Sequence, residues 1–433
     1  MRLPCLAASP LAPLSWRPPE LMASPVRRAR ALHACATPTR AWDDGPLAVA
    51  PMMDYTDRFL RYLLRLLSSR ATLYTEMVTA NTLVHCSESE LPRFLAQDGA
   101  SHSRPVVLQL GGADPEMLRK AMEVAEPWGY TAYNLNVGCP SDRVAGSGCF
   151  GAALMRDPSL VADCCAAMSD GVGGRSPITV KCRIGVTSDK ANAAVIDDEP
   201  TYDELCRFVD TVSSRGGVEA FVLHARKAVL GGLSPAQNRQ IPPLRYSLVR
   251  RLASDFPSLR FSLNGGIDTL SQAATHLDEP DNRLSGVMVG RAIIARPWAW
   301  STIDTALYGE ATNPAHSRRQ VMEEYCDFAD RMQATDPHKI RRLLISPALN
   351  LFAGEPQGKA FRRTVDQIAT SDASLPASDV LRRAAAEALL AETLDAPPGS
   401  QYHWATRSYT AADAHAVGEE EEEEDAVRAA GGR

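Results

Sequence analysis

The 433-residue chain has no run of eighteen or more apolar residues, so nothing in it is long and apolar enough to cross a bilayer as a helix. No membrane partner is expected. Its ten cysteines lack the dense, regular spacing of a disulfide scaffold, and no CxxC pair stands with a second pair or with histidines at zinc-ligand spacing. This excludes a disulfide-stapled secreted domain and a structural zinc site, and it points to a reducing compartment with no metal. The adjacent Cys164 and Cys165 read as core residues of a helix, one inward and one lateral, and not as a ligand pair. A Gly-rich dinucleotide turn is also missing after the first β-rich run, which ends in PMMD, and this counts against a doubly wound sheet.

Excess charge is confined to the ends. The formal net charge of −6 is matched by the stretch from Asp413 alone, which carries eight acidic residues against Arg428 and Arg433. Residues 1–41 hold six arginines and one acid, Glu20, among Ala, Ser and Pro, which is the composition of an organelle transit peptide. A plastid or mitochondrial address is the expectation; a disordered start, or translation from Met22 giving a cytoplasmic protein, is the alternative. Without both ends the body is near −5, so nucleic-acid binding has to come from local basic patches.

What is present is a long repeat of β-rich runs and helical stretches between Leu47 and Arg291. The runs are LAVAPM from Leu47, ATLYTEM from Ala71, PVVLQL from Pro105, TAYNLNV from Thr131, ITVKCRIG from Ile178, EAFVLHAR from Glu219, LRFSLNGG from Leu259 and GVMVGR from Gly286. Eight βα units predict an α/β fold, a (β/α)₈ TIM barrel with a parallel sheet. After Pro297 the pattern turns helical to about Leu394, with basic clusters HKIRRLL from His338 and GKAFRR from Gly358. We therefore expect a transit-like segment over 1–41, a catalytic barrel over 42–305, a smaller all-helical domain over 306–395, and a solvated acidic tail over 396–433. The polar, Ala-rich stretch from Thr187 to Pro200 reads as a surface insertion.

Each run ends in a polar residue able to face one shared pocket: Asp54, Glu76, Gln109, Asn136, Lys181, His224, Asn264 and Arg291. In this fold the C-terminal rim of the barrel carries the chemistry. The loop NLNVGCPSDRVAGSGCFGAALM places Cys139 between Gly138 and Pro140, beside Asn134, Asn136, Ser141 and Arg143. A thiol titrating near 8.5 stays mostly protonated at neutrality and can act as a general acid. The last two runs end in Asn264, Gly265 and Gly266 and in Gly290 and Arg291, whose backbone N–H groups and guanidinium suit a phosphate. Lys181 and His224 fall at the same rim, where a lysine favours a reduced anionic flavin ring and Gln109 can bond its edge.

These motifs resemble those of the tRNA-dihydrouridine synthases. The likeness rests on APMMDYTDR, YTEM, QLGG, NLNVGCPSDRV, VKCRIG, HARKAVLGGLSPAQNRQIPPLRY, NGGI and GVMVGR, in that order over residues 47 to about 365. The long HARKA segment is similar to that of the branch acting on positions 20 and 20a of the tRNA D-loop. The resemblance implies FMN held by Pro51, Met52, Met53, Gln109, Lys181, His224, Asn264, Gly265, Gly266, Gly290 and Arg291, with NADPH as reductant. It also implies Cys139 as proton donor, Asn136, Arg143 and Arg226 as substrate contacts, and tRNA contacts from Lys359 and Arg362. In LNLFAGEPQGKAFRR, Lys359 stands where the family has arginine and Phe361 where it has tryptophan. The loop after Cys139 has small residues and Cys149 where the family has a longer polar segment.

The implied reaction is reduction of uridine to 5,6-dihydrouridine, with hydride arriving at C6 and a proton from Cys139 at C5 of a base flipped out of the tRNA. Two rivals are an FMN barrel acting on a free small molecule, like a dihydroorotate dehydrogenase, and a catalytically silent tRNA-binding factor. The Lys and Arg clusters of the helical region argue against the first, and Cys139, Lys181 and His224 against the second.

Overall fold

The computed structural model describes residues 44–97, 105–140, 150–188, 198–231, 233–280, 283–335 and 340–400. The transit-like segment, the acidic run and Arg143 lie outside the described residues. Eight parallel strands close into a barrel: β1 (Leu47–Val49), β2 (Thr72–Thr79), β3 (Val106–Gly111), β4 (Ala132–Val137), β5 (Ile178–Arg183), β7 (Ala220–His224), β9 (Arg260–Asn264) and β10 (Gly286–Val289). Going round the barrel the order is β1, β10, β9, β7, β5, β4, β3, β2. Helices intervene, including Arg58–Leu67 after β1, Pro115–Ala125 after β3 and Pro158–Gly171 after β4. Among the described residues no helix is long and apolar enough to cross a membrane, and no cluster of three His, Cys, Asp or Glu could hold a metal.

Alternation along each strand explains why these runs sit as they do. Leu47, Val49, Leu108, Leu135, Val180, Leu223, Leu263 and Val287 point outward into the layer shared with the helices. Their neighbours Ala48, Ala50, Val107, Ala132, Val222 and Met288 point inward, forming a separate small cluster around Tyr74. At the N-terminal end this interior is closed by Asp44, which accepts hydrogen bonds from the Tyr74 hydroxyl (2.9 Å) at its carboxylate and from the Thr72 hydroxyl (2.6 Å) at its carbonyl. Burial, then the Asp44 charge, pushes the Tyr74 phenol well above its usual range. Apolar filling thus occupies the lower barrel, and the inward positions near the strand ends are left polar.

Two further short strands, β6 (Val186–Thr187) and β8 (Ala228–Val229), pair in parallel above the barrel, joining the loops that leave β5 and β7. The single-strand pattern contains no hint of them, because two-residue strands carry no periodicity. Cys164 and Cys165 are both fully buried in helix Pro158–Gly171, as core residues. The C-terminal helices pack onto helix Arg58–Leu67: Tyr62 stacks on Phe328 with ring centroids 3.7 Å apart, and Phe59 leans on the same ring at 6.3 Å. Their buried residues belong to the same continuous apolar cluster as the barrel's outer layer.

Candidate active site

Parallel pairing without offsets brings the polar strand ends into rows. Gln109 stands opposite Asn134, Asn134 opposite Thr179, Asn136 opposite Lys181, Arg183 opposite His224, and His224 opposite Asn264. Buried amides cost free energy unless they are bonded, and here they bond one another. Gln109 donates to Asn134 Oδ1 (2.8 Å), Asn134 donates to Thr179 Oγ1 (2.8 Å), and Asn136 donates to Gln109 Oε1 (3.3 Å). Asn136 in turn accepts at Oδ1 from the backbone N–H groups of Gly138 and Cys139, both at 3.0 Å. The Cys139 carbonyl accepts from Ala152 N–H (2.8 Å). The Cys139 backbone is thereby held at both its N–H and its carbonyl, half-buried at the top of β4, above a chain of amides reaching down into the barrel.

The surroundings of this thiol are cationic. Lys181 is inward on β5; burial, reinforced by Arg183, pulls its ammonium down to about 8, and a Cys139 thiolate would oppose that fall. Burial and the charges of Arg183, Lys181 and Arg226 push His224 well below the usual imidazole range, so its ring is neutral at pH 7 and offers one donor and one acceptor. Arg226 donates to the carbonyls of Gln240 (3.3 Å) and Pro242, so part of its guanidinium is spent on its own loop. Glu76, on bulged β2, accepts from the N–H of Asp54 (2.6 Å). Burial and the Asp57 charge raise its carboxyl to about 7. Asp54 lies in the left-handed region at φ 65°, five residues beyond the end of β1, so the first polar rim position belongs to a loop and not to a strand end. Met52 in that loop is fixed by Thr56, whose hydroxyl accepts from Met52 N–H at 2.9 Å.

The loops after β9 and β10 test the expected FMN. The backbone N–H groups of Gly265, Gly266, Gly290 and Arg291 bond no other described residue, and the Arg291 guanidinium has no carboxylate partner among the described residues. Orphan donors at a helix start are what a phosphate requires. At the other side of the mouth the Lys181 amine has no acidic partner among the described residues, and Gln109 and His224 keep unused hydrogen-bonding capacity toward the mouth. The donor set fits a flavin mononucleotide, with anion-binding groups at one end and a cation with amides at the other.

Of the other residues singled out from sequence, Pro51 and Met52 are half-buried at the rim, and Met53 is 54% exposed in the same loop. Met52 packs by its sulfur toward Gly290, where an added Cβ would lie 3.3 Å away. Asn264 donates to the Met288 carbonyl (2.8 Å) and so braces the loops after β9 and β10. Lys359 and Arg362 are not part of the rim; they stand exposed one turn apart on helix Gly358–Ser371 of the C-terminal region. Phe361 between them is fully buried against Phe352, 4.9 Å between centroids, so this position serves the core and cannot stack on a base. Sequence reasoning assigned no role to Arg183 or Asn238, which the structure ties to the thiol loop. Arg183 lies two residues beyond Lys181, so strand alternation alone would have put it on the same inward face.

Comparison with known proteins gives a concordant result. The family model described as dihydrouridine synthase matches residues 48–389, which include every rim residue above. The chain is 44% identical over 335 residues to a tRNA-dihydrouridine(20/20a) synthase of Synechocystis sp., covering 77% of this chain and 90% of that protein. It is 44% identical over 325 residues to the protein of the same description in Escherichia coli K12, covering 75% and 86%. For the counterpart in Vibrio vulnificus the figures are 41% over 344 residues, covering 79% and 96%. Agreement of this extent, over barrel and C-terminal helices together, places the chain in the dihydrouridine synthase family.

Proposed function

We propose that this protein reduces uridine to 5,6-dihydrouridine at positions 20 and 20a of the tRNA D-loop, using FMN and NADPH. The observation that carries the proposal is a half-buried thiol, clamped by Asn136 at the mouth of a barrel whose walls are cationic and amide-lined. FMN, when bound, supplies the hydride that adds at C6, and NADPH is its source. Gly265, Gly266, Gly290 and Arg291 hold the phosphate, while Gln109, Lys181 and His224 face the ring. Asn136 orients the Cys139 loop and Arg226 contacts the substrate, a role the family resemblance also gives to Arg143. Cys139 gives its proton to C5 as negative charge develops there. The uracil is flipped out of the tRNA to reach this depth, as chemistry on a stacked base demands.

Exposed Lys359 and Arg362 grip the tRNA backbone in this reading. Replacing both with alanine should weaken tRNA binding about tenfold at 0.15 M salt and lower the slope of log affinity against log salt by between about 1 and 2. Filter binding across a salt series measures this; an unchanged slope removes these residues from the contact. Lys181 imposes a second signature. Its charge is present below about pH 8 and lost above it, so the rate of dihydrouridine formation should fall on the alkaline side of that value. Lys181→Arg should shift that limb toward higher pH, since a guanidinium keeps its charge there. A limb unmoved in Lys181→Arg would mean that another group titrates.

The arginine-rich, acid-poor segment 1–41 supports delivery to a plastid or mitochondrion. The function itself is tested by incubating the purified protein and NADPH with tRNA from cells lacking the D-loop enzyme, then mapping dihydrouridine by mass spectrometry. Modification at 20 and 20a is expected. A flavin-loaded protein that leaves those positions as uridine would overturn the proposal.

A further inference from the structure

Arg183, the last residue of β5, is 3% exposed and has no carboxylate partner among the described residues. A guanidinium taken out of water normally needs a counter-charge, because its desolvation costs several kcal/mol. Here three backbone carbonyls take that place. Arg183 Nε donates to Gly138 O (3.1 Å), and Nη1 donates to Lys227 O (3.1 Å) and Asn238 O (2.9 Å). Gly138 precedes the thiol, whereas Lys227 and Asn238 belong to the long loop that leaves β7. That loop is itself rigid at the point of contact. Asn238 is fully buried, accepts from Val229 N–H (2.8 Å) and donates to the carbonyls of Val229 (3.1 Å) and Leu233 (3.3 Å). The β6–β8 pair anchors the same loop to the segment after β5.

We propose that Arg183 is a positioning residue that ties the Cys139 loop to the β7 loop and presents an uncompensated positive charge to the thiolate left when Cys139 gives up its proton. This rests on the reductive reading above. In the step, the S–H bond of Cys139 breaks and a C5–H bond forms, using the electron pair that hydride addition at C6 leaves at C5. The negative charge passes to sulfur, and the thiolate takes a proton from solvent before the next turnover. Carbonyls satisfy the hydrogen bonds of Arg183 but not its net charge, so that charge stays available to the sulfur. Burial draws Arg183 down to about 10, still cationic at neutrality; a Cys139 anion opposes that fall, and Arg239 and Arg226 add to it. The charged groups that act on the thiol are thus Lys181 and Arg183 from β5, while Arg226 and Arg239 from the β7 loop act on Arg183 and on neutral His224. A lysine at 183 would keep the charge but could not fork to carbonyls on two loops.

The test uses flavin-loaded wild type, Arg183→Gln and Arg183→Lys. Cys139 alkylation by iodoacetamide is followed across pH by peptide mass spectrometry, and flavin reduction by NADPH is timed separately from its reoxidation by tRNA. In Arg183→Gln the alkylation midpoint should rise by about one pH unit. Reoxidation by tRNA should fall about tenfold or more beyond any loss in flavin reduction. Arg183→Lys should keep the wild-type alkylation midpoint yet still lose reoxidation rate. An unchanged midpoint in a folded, flavin-loaded Arg183→Gln protein, or equal losses in both half-reactions, would reduce Arg183 to a structural role. If wild type forms no dihydrouridine, the functional reading fails, while the alkylation series still decides whether Arg183 acts on the thiol.

Discussion

Replacing Cys139 with alanine is expected to leave a folded, flavin-loaded protein that forms dihydrouridine some 10²- to 10⁴-fold more slowly, the usual span for loss of a general acid. Folding should survive because the hydrogen bonds that shape this loop belong to the backbone. The N–H groups of Gly138 and Cys139 reach Asn136 Oδ1, and the Cys139 carbonyl accepts from Ala152. An alanine makes all of them. What disappears is the S–H group: His224 is held neutral and Arg183, at about 10, is a far weaker acid, while Lys181, inward on β5, is assigned to the flavin ring. Cys139→Ser should follow alanine, since an alcohol is a far weaker acid than a thiol. Flavin absorbance and mass spectrometry of the tRNA measure the two halves of the claim. Undiminished dihydrouridine in the alanine protein would remove Cys139 from the reaction.

The second large effect is expected at Gly265, where alanine should destabilise the protein by about 2–4 kcal/mol and strip it of flavin. Gly265 has φ +109°, a conformation that L side chains rarely adopt. An added Cβ would lie 2.5 Å from His224 Cδ2 and 2.7 Å from its Nε2, with a Leu244 methyl at 3.1 Å. His224 cannot retreat, being a buried strand residue, and the Gly265 carbonyl is pinned by the Tyr246 hydroxyl at 2.7 Å. The loop must therefore move, taking the orphan N–H groups of Gly265 and Gly266 with it. Gly290→Ala is the contrasting variant: its φ is −114°, and the nearest atom to an added Cβ is the flexible Met52 sulfur at 3.3 Å. Thermal melting and flavin content after gel filtration should separate the two. Equal behaviour of both variants would show that the β9 loop is not the constraint.

The thiol, the glycines of the β9 and β10 loops and the inward cations could all be named before any geometry because strand alternation and the rim rule are local. Lys181 follows the β-branched Ile178–Val180 and His224 ends β7, and their inward direction follows from period 2. Asp54 shows the limit of that reasoning. It follows a run ending in PMMD, but β1 stops at Val49 and the residue turns left-handed to meet Glu76, 22 positions away. Phe361 shows another. Its place in a basic motif suggests the tRNA surface, whereas the helix turns it inward onto Phe352 and leaves Lys359 and Arg362 outside.

The amino-acid sequence by itself determined the eight strands, their inward and outward faces, the helical C-terminal region and the thiol at the end of β4. Each depends on a pattern read within a few residues, and the closed barrel is the packing that buries all eight outer faces together. Only the tertiary structure decided how that thiol is held. The Asn136 bracket spans three residues and could have been guessed, but Gln109 lies 27 positions from Asn136, and Arg183 reaches Gly138 and Asn238 across 45 and 55. Contacts of that length arise from strand order and register and leave no periodic trace in the chain. They also give the buried Arg183 charge carbonyl partners in place of a carboxylate, and that charge faces Cys139.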